Sequence, residues 1–178
     1  MTSGPPARGR VRPILVAGTP SLEEACAAVG ADDRELAADI TDLAATLADF
    51  RARSGFGRAI SAPQIGIPKR LIVMDLGPGP TALVNPEIIW RSAATHEVWD
   101  DCLSVPDVLV RVERHVSVSV RHLTDRFAPT GLVELPPDTS ELLQHEIDHL
   151  DGVLMTSRAT GPDPVVPLAR RSELITDR

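Results

Sequence analysis

Five apolar side chains, Leu36, Ile40, Leu43, Leu47 and Phe50, recur every three or four positions through DDRELAADITDLAATLADFRARSG. That is the period of one buried helix face, and it predicts a long helix over about 33–52. Asp32 or Asp33 suits its start and Gly55 its end. Upstream, the Ala-rich PSLEEACAAVG predicts a short helix with an acidic first turn. From residue 70 the pattern changes: RLIVMDL, TALVNPEIIW, HEVWDDCLSV, VLVRVERHVSVSVRHL and GLVEL are short, β-branched and partly alternating, so they read as strands. GPGP, NP and LTDRFAPTG between them are turn formers. In the valine-rich run, Val112, Val116, Val118 and Val120 mostly fall two apart, which buries one strand face. A second helix follows at about 140–150, with Leu142, Leu143, Ile147 and Leu150 as its apolar stripe and Gly152 as its stop. Helix, then strands, then helix predicts an α+β fold, with antiparallel strands packed around the second helix at the centre. Residues 1–12 read as a flexible N-terminal arm, 13–160 as one domain, and the Pro-interrupted 161–178 as a C-terminal tail.

Composition narrows what such a domain does. A chain of 178 residues is long enough for one real core. Aromatic residues are only 3%, with no Tyr, which argues against stacking on bases or sugars. A net charge of −7 without a Lys/Arg block argues against stable binding to nucleic acid or an anionic membrane. No apolar run approaches the roughly 20 residues that cross a bilayer. The N-terminus is polar and Pro/Gly-rich, so a cytoplasmic location is the expectation. Of the two cysteines, Cys26 reads as a small buried hydrophobe; Cys102, in WDDCLSVP, reads either as a buried thiol or as a ligand.

The chemistry concentrates in LLQHEIDHLDG. His145 and His149 are four apart, so on a helix they share a face and can reach one metal ion, with Glu146 beside it to move protons. The plainer reading is an amphipathic helix that carries two histidines. A catalytic metal wants a third protein ligand and one open position. The His-x-x-Gly-x-x-His extension fails because Met155 stands where its last His would be. Asp151, Asp163, Glu173 and Asp177 are mostly in the broken tail, which leaves Cys102 as the better candidate. Asp148 is either a partner that orients a ligand His or a solvated helix carboxylate.

Three stretches, GFGRAISAPQIG (55–66), DDCLSVP (100–106) and QHEIDHLDG (144–152), occur in the order and with the spacing of the three motifs of peptide deformylases. The chain resembles that family over about residues 13–158. The resemblance implies a peptide deformylase-like fold around a metal-binding helix, with Cys102, His145 and His149 as metal ligands. It makes Glu146 the general acid/base, and Gln64 with the Leu103 backbone N–H the donors to the developing oxyanion. It further implies one divalent ion, ferrous iron (Fe2+), with Zn2+, Ni2+ or Co2+ as substitutes. The activity implied is hydrolysis of the N-formyl group of N-formylmethionyl peptides of nascent proteins, releasing formate, with transient ribosome association. Residues Gly57, Arg58, Ala59 and Ile60 would bind the peptide as an added strand. Ile60, Val105, Leu142 and Ile147 are candidates for the apolar lining of a methionine pocket.

The chain departs from the family pattern in two places. The first motif usually reads Gly-x-Gly-Leu-Ala-Ala-x-Gln, and Ala59 replaces its second Gly while Arg58 fills the variable position. In the second motif Asp100-Asp101 replaces Glu-Gly, with Arg114 as an ion-pair partner for Asp100 and with Asp101 adding charge beside the thiol. Arg58 and Ala59 sit where a peptide would dock, so mediocre activity on formyl-Met peptides is expected. Two further readings follow: a deformylase of a small non-peptide formamide in biosynthesis, and a non-catalytic metal-binding relative. The second is opposed by the retention of both Glu146 and Gln64.

Overall fold

The long N-terminal helix α1 runs Leu36–Ser54 in the computed structural model, which describes residues 9–175. Residues 1–8 of the expected arm and 176–178 of the expected tail lie outside the described residues. α1 starts later than the periodicity suggests because Asp33 is engaged: its carboxylate accepts the Glu35 N–H at 2.9 Å and pairs with Lys69 at 2.7 Å. At the other end Gly55, at φ 76°, donates its N–H to the Arg51 carbonyl, the left-handed cap that glycine allows. Leu36, Leu43 and Leu47 bury against Ile60, Val73 and Val84. The arm is not loose over its described part. The Arg10 N–H reaches Asp42 Oδ1 at 2.7 Å and the Arg12 N–H reaches Thr46 Oγ1 at 2.9 Å, which ties 9–12 along α1.

The expected helix in PSLEEACAAVG is only a 3-10 turn, Pro20–Glu23. Beyond it the backbone is drawn away from helical pairing: the Cys26 N–H bonds the Leu150 carbonyl at 2.8 Å, and Ala27 bridges Lys69. Long-range backbone bonds override the local propensity of the alanines.

Among the described residues eight strands form two antiparallel sheets. β1 (Ala59–Ser61), β2 (Leu71–Met74), β3 (Thr81–Arg91), β6 (Val118–Leu123) and β7 (Pro129–Leu132) make one, in the order β1-β2-β3-β6-β7. β4 (Thr95–Cys102), β5 (Val105–His115) and β8 (Val165–Pro167) make the other, in the order β4-β5-β8. The valine run is therefore two strands in two sheets. It breaks at Val116 and Ser117, where the Ser117 hydroxyl donates to the Leu135 carbonyl and its N–H bonds Ser92 Oγ. Val112 then packs with Cys102 and Met155, and Val118 and Val120 pack in the other core. GLVEL contributes only its first two residues to β7; Glu134, at φ 45°, bends the chain and binds Ser119 Oγ through its N–H at 3.0 Å.

The second helix, α2 (Pro137–Leu150), is central as expected. Every residue from Thr139 to Leu150 is buried. Leu142, Leu143, Ile147 and Leu150 pack against Ile72, Leu83, Val118 and Val120. After it, Gly152 (φ 73°) passes so close to Glu23 that a Cβ would lie 2.8 Å from its backbone, so glycine is required there. The tail is not separate from the domain over its described part. β8 pairs with β5, and a final short helix α3, Arg171–Leu174, reaches back toward α2's neighbours in β4. Among the described residues no helix is long and apolar enough to cross a membrane.

Candidate metal centre

Cys102 ends β4 just after a register shift between Asp100 and Cys102, the kind of bulge that re-aims a side chain out of the ladder. It brings its thiol to the face of α2 that carries both histidines. Cys102 Sγ lies 3.2 Å from His149 Nε2, and His149 Nε2 lies 3.2 Å from His145 Nε2. The three ligand atoms all fall within 4.8 Å of one another, and all three residues are buried. Tetrahedral ligation at the usual Cys and His distances sets such donors roughly 3.3–3.6 Å apart. The donor set and its spacing therefore fit one divalent ion.

The charge network explains the orientation of His145. Asp100 accepts from His145 Nδ1 at 3.1 Å and from Arg114 Nη2 at 2.7 Å. Burial works against the charge on Asp100, but His145 and Arg114 outweigh it and hold the carboxyl well below the usual carboxylate range. An ionised Asp100 can only accept, so His145 Nδ1 carries a proton and Nε2 is the nitrogen turned to the centre. Burial also opposes a charge on His145, but Cys102 and Asp100 overcome this and raise its pKa. For His149, burial and the neighbouring His145 both push the pKa down. Its Nδ1 is buried with no partner among the described residues.

Asp148 does not orient a histidine. It accepts from Arg114 Nη1 at 2.5 Å and from Arg158 Nε at 2.5 Å and Nη2 at 2.6 Å. Asp100 has the orienting role that the sequence offered to Asp148. The expected Asp100–Arg114 pair is present, and Arg114 is only 3% exposed.

Glu146 is buried beside the triad, and burial raises its pKa. Its Oε2 accepts from Ser61 Oγ at 2.8 Å. Ser61 also fixes Gln64, whose Oε1 accepts the Ser61 N–H at 2.9 Å. That bond sets the amide's orientation, so Nε2 points to Ser104 Oγ at 3.1 Å and toward Cys102 Sγ at 3.9 Å. Ser61 was missed in the sequence; its only signal was a hydroxyl among the small residues three positions before Gln64. The Ser104 N–H reaches Cys102 Sγ at 3.4 Å. Leu103, between these two, turns its side chain onto the α1 core while lining the cleft.

The substrate-binding candidates divide. Gly57, Arg58 and Ala59 line the inner cleft with His145 and Glu146, a narrow space of about 30 Å3. Ile60 does not: it is fully buried against α1. Of the four proposed apolar lining residues only Leu142 faces the cleft; Ile60, Ile147 and Val105 are each committed to a core cluster. Arg58 is not splayed over the docking edge. Its guanidinium pairs with Glu141 and donates to the Asp138 carbonyl at 3.1 Å, so it forms a wall of the cleft. The charge on Asp101 is met by Arg171 of α3, whose Nε lies 2.5 Å from Asp101 Oδ2. An outer cavity of about 430 Å3, between Phe56, Arg58, Leu76 and Arg171, shares Gly57, Arg58 and Arg171 with the inner cleft.

The polypeptide deformylase family model matches residues 11–164. A peptide deformylase of Thermotoga neapolitana is 36% identical over 147 residues, which is 82% of this chain and 85% of that protein. The crystal structure of peptide deformylase from Thermotoga maritima superposes with a TM-score of 0.77 at 34% identity, covering 85% of this chain and 99% of the other. A class I type b peptide deformylase from Acinetobacter baumannii, solved with Met-Ala-Ser bound, superposes with a TM-score of 0.74 at 30% identity, covering 83% of this chain and 98% of the other.

Proposed function

The chain belongs to the peptide deformylase family, and on that premise we propose a division of labour among its residues. The protein is a metallohydrolase that removes the formyl group from N-formyl peptides of nascent proteins and releases formate. The observation that carries the assignment is the convergence of Cys102, His145 and His149 beside Glu146 and Gln64.

Cys102, His145 and His149 would hold one divalent ion. When bound, that ion supplies Lewis-acid activation of the attacking water. Asp100 keeps His145 in the tautomer that offers Nε2. Glu146 takes the proton of the attacking water and passes it to the leaving amine, and its burial excludes competing solvent. As the formyl carbon becomes tetrahedral, charge builds on its oxygen. Gln64 Nε2, held by Ser61, and the Leu103 N–H receive that charge as fixed donors, which need not reorganise during the reaction. The peptide main chain docks along Gly57–Ala59, the segment that leads into β1, the outer strand of its sheet. The reaction takes place in the cytoplasm on chains leaving the ribosome, with only transient contact between the two.

We assign ferrous iron as the native metal; the thiolate donor set supports it and also accommodates zinc, nickel or cobalt. Anaerobically prepared, iron-loaded protein should release formate from formyl-Met-Ala-Ser far faster than from simple non-peptide formamides. Its activity should decay in air as the Cys102 sulfur oxidises, whereas the nickel form should persist. Preference for a non-peptide formamide would overturn the substrate, and full activity after days in air would overturn iron.

The structure changes one expectation about docking. Ala59 borders the inner cleft, but its methyl belongs to a packed core cluster and is 1% exposed, so we read it chiefly as filling core space. Ala59→Gly should therefore lower Tm by roughly 2–4 °C, from about 1 kcal/mol of lost packing and added backbone freedom. Its kcat/KM on formyl-Met peptides should stay within about twofold of wild type. A severalfold rise would restore the steric reading.

A further inference from the structure

Arg171, like Arg58, lines both the inner cleft and the outer cavity, and it comes from a segment read only as a C-terminal tail. Two contacts fix its guanidinium. Nε is bound to Asp101 Oδ2 at 2.5 Å, and the Arg171 guanidinium carbon sits 4.6 Å from the Phe56 ring centroid. Phe56 is itself braced edge-on by Phe50 of α1, with ring centroids 5.3 Å apart. Among the described residues neither Nη nitrogen makes a hydrogen bond. The result is a rigid guanidinium with its stem and one edge anchored and its outer donors presented at the junction of the two spaces. The side chain keeps 26% exposure, which leaves those donors accessible.

The other arginines of the outer cavity are engaged. Arg51 binds the Gly57 and Asp75 carbonyls, each at 2.8 Å, and Arg58 binds Glu141 and the Asp138 carbonyl. Gly57 and Arg58, along which the chain is proposed to lie, line the same two spaces as Arg171. We infer that Arg171 is a substrate-binding residue, whose two Nη groups take a carboxylate on the residues that follow the formyl-bearing one. A planar, preorganised guanidinium fork prefers a carboxylate over a neutral amide of the same shape. The inference rests on the deformylase reading, and it adds a preference for acidic residues downstream of the first.

The test compares formylated tripeptides that differ only in Asp against Asn, placed at the second or at the third position. In the wild-type holoenzyme, Asp should be favoured by about five- to tenfold in kcat/KM at one of these positions, through KM with kcat unchanged. Arg171→Ala and Arg171→Gln should both erase the preference, and Arg171→Lys should retain part of it. Absence of the preference at both positions in wild type, or its survival in Arg171→Ala, overturns the inference. So does an equal loss of kcat on every substrate, which would mark Arg171 as a strut for the cleft wall. Calorimetric binding of the unformylated Asp and Asn peptides to wild type and Arg171→Gln reads the same discrimination without turnover. If no substrate releases formate, the deformylase reading falls while the binding comparison still decides the role of Arg171.

Discussion

Glu146→Gln is expected to keep its metal and its fold and to lose about a hundredfold or more in kcat, with KM changed only severalfold. The substitution preserves volume and leaves an oxygen to accept from Ser61 Oγ, now 2.8 Å from the carboxylate. It removes only the ability to take up and return a proton, a contribution that typically accounts for 10²–10⁴ in rate. Metal content measured beside formate release separates this from Cys102→Ala or His149→Ala, which should lose the metal itself. Asp148 is paired with Arg114 and Arg158, and Asp101 with Arg171, so neither offers an unpaired carboxylate as an alternative proton carrier. A Glu146→Gln enzyme within tenfold of wild type would mean that the proton moves by a route absent from this arrangement.

How much of this was legible in the chain differs from residue to residue for physical reasons. α1 and α2 were readable because helical periodicity is local and both helices end at glycines in left-handed conformations. The grouping of Cys102 with His145 and His149 was readable because the two histidines are tied by helical spacing and Cys102 is one of only two thiols. What failed depended on partners distant in sequence. PSLEEACAAVG lost its helix to backbone bonds with Leu150 and Lys69, and the valine run was cut by the hydroxyls of Ser92 and Ser117. Asp100, expected to pair with Arg114, also faces His145 in place of Asp148, because choosing between the two required knowing which carboxylate lies beside that ring. Arg171 lay in a segment read as a tail, and nothing local distinguishes a guanidinium that crosses 70 residues to reach Asp101. Periodicity reports which face of an element is buried, not which far element covers it.

Arg114 is the position where fold and site meet, and Arg114→Met should be among the most damaging substitutions in the chain. The side chain is 3% exposed and bridges Asp100 of β4 to Asp148 of α2. Methionine keeps much of the volume but strands the carboxylates. Asp148 retains Arg158, which is 44% exposed, whereas Asp100 keeps only the His145 hydrogen bond. Leaving one buried charge without its partner costs about 3–5 kcal/mol, which for a chain of this size is a Tm loss of roughly 10 °C. The pH dependence should change in a set direction. Asp100 titrates below its unfolded value of about 3.9, so its stabilising contribution is present above that pH and is lost as pH falls through the depressed folded value. Without Arg114 the folded value rises, so acid unfolding should begin at higher pH than in wild type. The same change loosens the tautomer and orientation of His145, and metal affinity should fall by about 10–100-fold. Adding Asp100→Asn to Arg114→Met should recover part of the Tm, because the stranded charge is gone, without recovering metal affinity. A single variant that melts within about 2 °C of wild type and binds metal normally would show that the buried bridge holds neither the sheet to the helix nor the histidine to its task.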